Sequence, residues 1–304
     1  MNGIVIVDKP AGWTSHDVVA KLRGALRGAP YNADKKTRVG HGGTLDPMAT
    51  GVLPVFIGRA TRASAFCENA EKEYIAGLRL GIVTDTQDIT GNTLYTNDAS
   101  KSAAEISSAE LSAVLPAFIG AQKQTPPMYS AIKINGRKLY ELARSGADVP
   151  RQARDVFISE IEILGNDNYD YLLRIVCSKG TYIRTLCHDV GAALGCGGTM
   201  CSLRRTRAGA FTIDMAHSLD EVLNALSSGA IETVIKPIDT IFPEYPAAKL
   251  DEATYHKCKN GAPCNAGQIA DGKYRFYGPD NRFAFLGEVE SGGIKILKSF
   301  FEAG

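Results

Sequence analysis

The run "GHGGTLDPMATGVLP", residues 40–54, places four glycines and two prolines within 15 residues. Such a stretch cannot propagate a helix, because glycine loses too much backbone freedom there and proline lacks the N–H the ladder needs. It reads as a turn-rich loop that feeds the strand-like "GVLPVFIG". At its centre stand one carboxylate, Asp46, and one imidazole, His41. Glycines let backbone approach a ligand closely, and reactive groups tend to sit on loops held by a rigid scaffold. No Lys-Ser or Lys-Thr pair follows, so the loop is not a phosphate-binding loop of the nucleotide type.

A solitary acid narrows the chemistry. Metal-assisted hydrolysis calls for several carboxylates or histidines, and two-carboxylate glycoside hydrolysis calls for a second acid. Asp85 and Asp88, in "TDTQDITG", read as members of a polar turn. An Asp-Pro pair by itself merely starts a turn, but within this loop Asp46 is best suited to covalent nucleophilic catalysis. It then has to stay ionised in a closed site, which asks for a fixed cation. Arg184, in "SKGTYIRTL", falls in the first turn of a predicted helix, where the macrodipole disfavours positive charge. It is either that cation or a solvated surface residue. His41 fits a turn residue, a packing ring or a general base; Tyr74 fits a core aromatic. Cys187 and His188 are neighbours on a helix, so their side chains diverge and make a poor nucleophile–base pair.

The surrounding chain supplies both periodicities. "GIVIVDKP" reads as a buried strand, followed by a helix capped by Thr14 or Ser15 with Val18, Val19, Leu22 and Leu26 inward and Lys21, Arg23 and Arg27 on its polar side. "KEYIAGLRLGI" alternates, with Tyr74, Ala76, Leu78 and Leu80 on one face. "DVFISEIEIL" and "YDYLLRIVCS" read as antiparallel neighbours, and "GTYIRTLCHDVGAALG" as a helix with Ile183, Leu186, Val190 and Leu194 inward, closed by Gly195. "SSAELSAVLPAFIG" and "SLDEVLNALSSG" are serine-capped helices, and "QTPPMYSAIKINGRKLYELARSG" is irregular chain ending in a short helix. Past Pro246, short strands between Gly, Asn and Asp turns suggest a compact all-β module, with a boundary at about residues 241–246. Strands and helices do not alternate strictly, so the fold class is α+β rather than doubly wound.

With 304 residues and 44% hydrophobic composition the chain can build a real core. Its seven cysteines are scattered with no Cys-x-x-Cys pair, which suggests reduced thiols, a cytoplasmic setting and no structural zinc. The N-terminus does not read as a signal peptide, and no apolar run approaches the ~20 residues that span a bilayer. The formal charge is only +1, yet Lys123, Lys133, Arg137, Lys138, Arg144, Arg151 and Arg154 face only Glu141 and Asp148, with Tyr129 and Tyr140 interleaved. Arg204, Arg205 and Arg207 form a second cluster. Both excesses point to a surface for phosphate backbone.

Six segments in order, "GIVIVDKPAGWTSHDVV", "VGHGGTLDPMATGVLP", "KEYIAGLRLG", "PPMYSAIKINGRKLYELARSG", "CSKGTYIRTLCHDVG" and "SLRRTRAG", resemble the TruB family of tRNA pseudouridine-55 synthases. The resemblance covers the first 240 or so residues; the tail resembles a small PUA-type RNA-binding module in texture only. It implies an α+β catalytic domain over residues 1–243, with a mixed, largely antiparallel central sheet and flanking helices. A thumb would be inserted at about 122–148, and a PUA-like module would follow at 244–304. It further implies Asp46 as the catalytic aspartate, Tyr74 stacking on the target base and aiding proton removal, and Arg184 pairing with the aspartate. His41 would fill the space left by flipped bases, Tyr182 and Leu203 would line the uracil pocket, and Lys9 and Pro10 would buttress the loop. Lys133, Arg137 and Lys138 fall in the thumb. Gly42, often Thr in relatives, would add flexibility. The expected substrate is the T arm of tRNA, bound by a monomer without cofactor or metal. A non-catalytic tRNA-binding or folding protein, and a guide-dependent synthase acting on ribosomal RNA, are the alternatives.

Overall fold

The computed structural model describes residues 1–94, 102–103, 106–130, 132–134, 136–147, 149–167 and 170–301, and only the backbone of Lys133, Ile134, Lys138 and Arg144. The chain divides into two compact units: residues 1–47, 52–68 and 208–304 form the first, and residues 48–51 and 69–207 the second.

In the first unit, strand Gly3–Lys9 is buried along its length, with Ile4, Val5, Ile6 and Val7 all fully inaccessible. A continuous apolar run of this kind belongs to a strand covered on both faces, and each such side chain contributes about 1.5–3 kcal/mol of burial. The strand pairs in parallel with His217–Ser218 and antiparallel with Ile235–Lys236. Helix Ser15–Arg27 follows, closed by a reciprocal capping box in which Thr14 and Asp17 bond each other's backbone N–H. Its buried face is the one read from the spacing: Val18, Val19, Leu22 and Leu26. Strand Val39–His41 pairs antiparallel with Thr50–Ile57, placing His41 opposite Val55.

The C-terminal strands Ala247–Lys249, Gly272–Tyr277, Phe283–Glu290 and Gly293–Ser299 form a separate four-stranded sheet. The strand texture did not reveal helix Glu252–Lys259, which precedes three of them and is capped by Asp251. Phe242, Leu286 and Phe300 share one apolar cluster with Ile4, Ile6 and Phe56. The Phe242 ring meets Phe66 edge-on with centroids 5.0 Å apart. The terminal sheet is therefore bonded into the core of the first unit through aromatic packing.

In the second unit, strands Gly120–Gln124, Arg154–Asp167, Asp170–Cys177 and Lys72–Leu80 lie side by side, each pair antiparallel. Gly198–Ala208 lies beside Lys72–Leu80 and pairs in parallel with Thr50 and Gly51. Gly51 has φ +100°, and a Cβ there would fall 2.1 Å from the Arg205 carbonyl oxygen, so glycine is obligatory at this crossing. Helix Ile183–Leu194 ends on Gly195 in the left-handed region, as its spacing predicts. Helices Ser108–Val114 here and Leu219–Ser227 in the first unit each carry a serine capping box. No helix among the described residues is long and apolar enough to cross a membrane.

Candidate active site

Asp46 is half-buried in the loop that joins strand Val39–His41 to strand Thr50–Ile57. Its two neighbours are held from both sides. The buried Ser15 hydroxyl accepts from the Leu45 N–H at 2.8 Å and donates to the Leu45 carbonyl at 3.2 Å. The Pro47 carbonyl accepts from the Gly12 N–H at 2.8 Å and from Lys9 Nζ at 3.2 Å. Lys9 is fully buried, and its ammonium also donates to the Pro10 and Trp13 carbonyls at 2.8 and 2.6 Å. Charge-assisted bonds of this type are about twice as strong as neutral ones. One buried cation thus ties the turn after Pro10 to the turn after Asp46, which fixes the backbone that aims the carboxylate.

Gly42, in the same loop, is not a source of flexibility as the sequence suggested. A Cβ there would fall 2.7 Å from the Phe56 ring and 2.9 Å from Cys67, and its N–H donates to the Pro54 carbonyl at 2.9 Å. Glycine is needed because the loop is packed down on the core. His41 closes strand Val39–His41, half-buried and one residue before this contact.

The second unit holds Tyr74, Tyr182, Arg184 and Leu203. Tyr74 is half-buried opposite Ile175, on the face that continues through buried Ala76, Leu78 and Leu80. Leu203 is buried on strand Gly198–Ala208. Tyr182 is the N-cap residue of helix Ile183–Leu194 but makes no side-chain cap. Its backbone is gripped by buried Gln124, which accepts from the Tyr182 N–H at 2.7 Å and donates to its carbonyl at 3.0 Å.

Arg184 is not a solvated surface residue; it is 4% exposed. Its guanidinium donates to the Thr86 and Tyr129 carbonyls at 3.0 and 2.8 Å and lies 3.5 Å from the Asp88 carboxylate. Asp88 is itself buried, and its Oδ1 accepts from the Thr86 hydroxyl, the Thr90 N–H and the Thr90 hydroxyl. The sequence reading placed Asp88 in a polar turn and missed this role. A buried cation in a helix's first turn demands a buried acid, and that demand was the available signal. Cys187 is fully buried, which pushes its thiol well above the ordinary thiol range and leaves no reactive thiolate there.

The basic clusters resolve differently. In 122–148 the chain runs from strand Gly120–Gln124 through a Lys133–Ile134/Arg137–Lys138 hairpin to helix Leu139–Arg144. Arg137 is exposed at the hairpin; the side chains of Lys133 and Lys138, and Asp148 altogether, lie outside the described residues. Lys123 is ion-paired with Asp155 at 3.2 Å. The Arg204–Arg207 cluster is not an open phosphate surface: Arg205 is 1% exposed, Arg207 pairs with Glu71 at 2.8 Å, and Arg204 donates to Thr50 at 3.3 Å. Alternation along the strand sends Arg204 and Arg205 to opposite faces, so adjacency in sequence does not make a patch.

Residues 32–183 match the family model of the TruB family pseudouridylate synthase N-terminal domain, and residues 184–243 that of the tRNA pseudouridylate synthase B C-terminal domain. Those matches place the chain among the pseudouridylate synthases. The tRNA pseudouridine synthase B of Alkaliphilus oremlandii is 45% identical over 99% of both chains, and that of Syntrophomonas wolfei 40% over 96% of this chain and 94% of its own. The protein belongs to the TruB family. Among solved structures, a Cbf5-Nop10-Gar1 complex aligns with TM-score 0.70 at 27% identity, covering 98% of this chain and 84% of that one. An archaeal box H/ACA Nop10-Cbf5 complex aligns with TM-score 0.68 at 26% identity, covering 98% and 86%.

Proposed function

We propose that this protein isomerises uridine to pseudouridine at position 55 in the T loop of tRNA, with Asp46 as the covalent nucleophile. The observation that carries the reading is the Asp46 loop itself, clamped at Leu45 by Ser15 and at Pro47 by buried Lys9. It is supported by family membership and by relatives named for tRNA along nearly their whole length. The Asp46 carboxylate adds to ribose C1′ or to uracil C6. The N1–C1′ bond breaks, the uracil turns, a C5–C1′ bond forms, the bond to Asp46 breaks to return the free carboxylate, C5 loses its proton and N1 gains one. The reaction is redox-neutral and hydrolyses nothing, so it asks for no cofactor or metal.

The target nucleotide has to leave its stack, at a cost of a few kcal/mol. Tyr74 stacks on the base and His41 fills the gap, which offsets part of that cost. Tyr182 and Leu203 line the uracil pocket, and Arg184 is the cation that keeps the nucleophile ionised. Residues 1–243 form the catalytic domain, with a thumb at about 122–148 carrying Lys133, Arg137 and Lys138. Residues 244–304 form a PUA-like RNA-binding module. The enzyme works as a cytoplasmic monomer on the T arm.

The test is release of tritium from C5-labelled uridine in a T-arm hairpin by purified protein. Asp46→Asn and Asp46→Ala should abolish release while tRNA binding persists; turnover by Asp46→Ala would remove the nucleophile assignment. The likeness to Cbf5 raises a guide-dependent reading, and turnover without any added RNA guide excludes it.

A further inference from the structure

We propose that a second basic surface, formed by the polar side of helix Ser15–Arg27 and by residues 35–40, receives the phosphodiester backbone of the substrate RNA beside the target nucleotide. The inference rests on the RNA-modifying reading above. It uses the cations on the first helix that the active site does not involve.

The surface is a cavity of about 470 Å³ lined by Arg23, Arg27, Lys35, Lys36 and Arg38. Among the described residues no carboxylate lines it. Arg23 donates to the Val39 carbonyl at 3.0 Å and Arg27 to the Lys35 carbonyl at 3.2 Å. Their partners are neutral, so both guanidiniums are oriented without being neutralised. Each of these bonds uses one terminal nitrogen, and a guanidinium carries five N–H donors in a planar fork suited to phosphate. Lys35, Lys36 and Arg38 are exposed beside them. Five like charges held around one concavity repel each other, and an anion relieves that repulsion.

The shape and position favour RNA over a free anion. Lysines on flexible stems around an open trough do not converge on a point. They match a chain of phosphates, whose contacts position the substrate without reading its sequence. The cavity runs to Gly40, the residue before His41, on the strand that leads into the Asp46 loop. In the Arg204–Arg207 cluster that the linear sequence singled out, Arg205 is buried and Arg207 is paired with Glu71, whereas the cations here face no carboxylate among the residues lining the cavity.

Parent protein is first shown to convert a T-arm hairpin, so that failure of the functional reading is recognised separately. Lys35→Gln/Lys36→Gln and Lys35→Glu/Lys36→Glu are then compared with Lys35→Arg/Lys36→Arg, which keeps the charge. The neutral pair should raise KM for the hairpin on the order of tenfold and flatten the dependence of log K on log salt by about 1.4, the single-strand increment for two phosphates. The glutamate pair should raise KM further, and the arginine pair should behave as the parent. Thermal midpoints equal to the parent's assign the loss to binding; should the glutamate pair unfold, the glutamine pair decides. Unchanged KM and salt slope in the glutamine pair would overturn the proposal. So would a loss seen with full-length tRNA but absent with the hairpin, because that places the groove against a different arm.

Discussion

Replacing Lys9 with methionine keeps a side chain of similar length and an apolar stem but deletes the charge and every donor. In the parent the ammonium is fully buried and serves the carbonyls of Pro10, Trp13 and Pro47. Pro47 keeps the Gly12 N–H at 2.8 Å, so the heaviest loss falls on Pro10 and Trp13. A buried acceptor deprived of its donor costs about 1–3 kcal/mol, so two such carbonyls amount to roughly 2–6 kcal/mol. Methionine returns part of this, because the buried ammonium itself carries a desolvation cost of several kcal/mol. The expected net loss is about 3 kcal/mol, or roughly 6 °C in melting midpoint at the lower end, about 2 °C per kcal/mol, of the range found for chains of about 150–250 residues. The same change frees the Pro47 side of the Asp46 turn. A displacement of about 1 Å at a reacting group costs on the order of a hundredfold in rate, so kcat on a T-arm hairpin should fall by ten- to a hundredfold, with KM little changed. Calorimetry and single-turnover kinetics on the same preparation check both. A Lys9→Met protein that melts with the parent and turns over at the parental rate would refute the clamp.

Other outcomes follow from the same kind of argument. Breaking the buried Arg184–Asp88 pair from one side, as in Arg184→Met or Asp88→Leu, should destabilise by about 3–5 kcal/mol, and the double variant should recover part of it in chemical denaturation. Strictly additive losses would show that the two side chains are not coupled. Tyr277 donates to the Asp239 carboxylate at 2.5 Å, and burial, reinforced by that bond, pushes its phenol up to about 12. Between pH 10 and 12 the unfolded chain then loses a proton that the folded one keeps, so stability falls as pH rises through that window and is complete below it. Tyr277→Phe should flatten that alkaline limb in urea titrations at pH 9 and 11; an equal slope in both proteins would contradict the assignment.

How much was legible beforehand depends on the range of the interaction. The inward faces of helices Ser15–Arg27 and Ile183–Leu194, the caps at Thr14 and Ser218 and the stop at Gly195 are decided within a turn or two of chain, and local spacing reveals them. Helix Glu252–Lys259 is short, with only Cys258 buried, and so presents no apolar stripe to recognise. The Lys133–Ile134/Arg137–Lys138 hairpin is likewise too brief for alternation to register.

The order of the motifs determined the family, and the glycine-rich loop singled out Asp46, because turn chemistry and residue type are properties of the chain itself. What each charge does was decided only in three dimensions. Lys9 meets a carbonyl 38 residues away, and Arg184 one 98 residues away. Arg205 disappears into the interior, while Arg27 and Lys35 come together around a groove. Whether a charge is screened by water, cancelled by a partner or left to attract an anion depends on which distant atoms surround it, and periodicity carries no record of those.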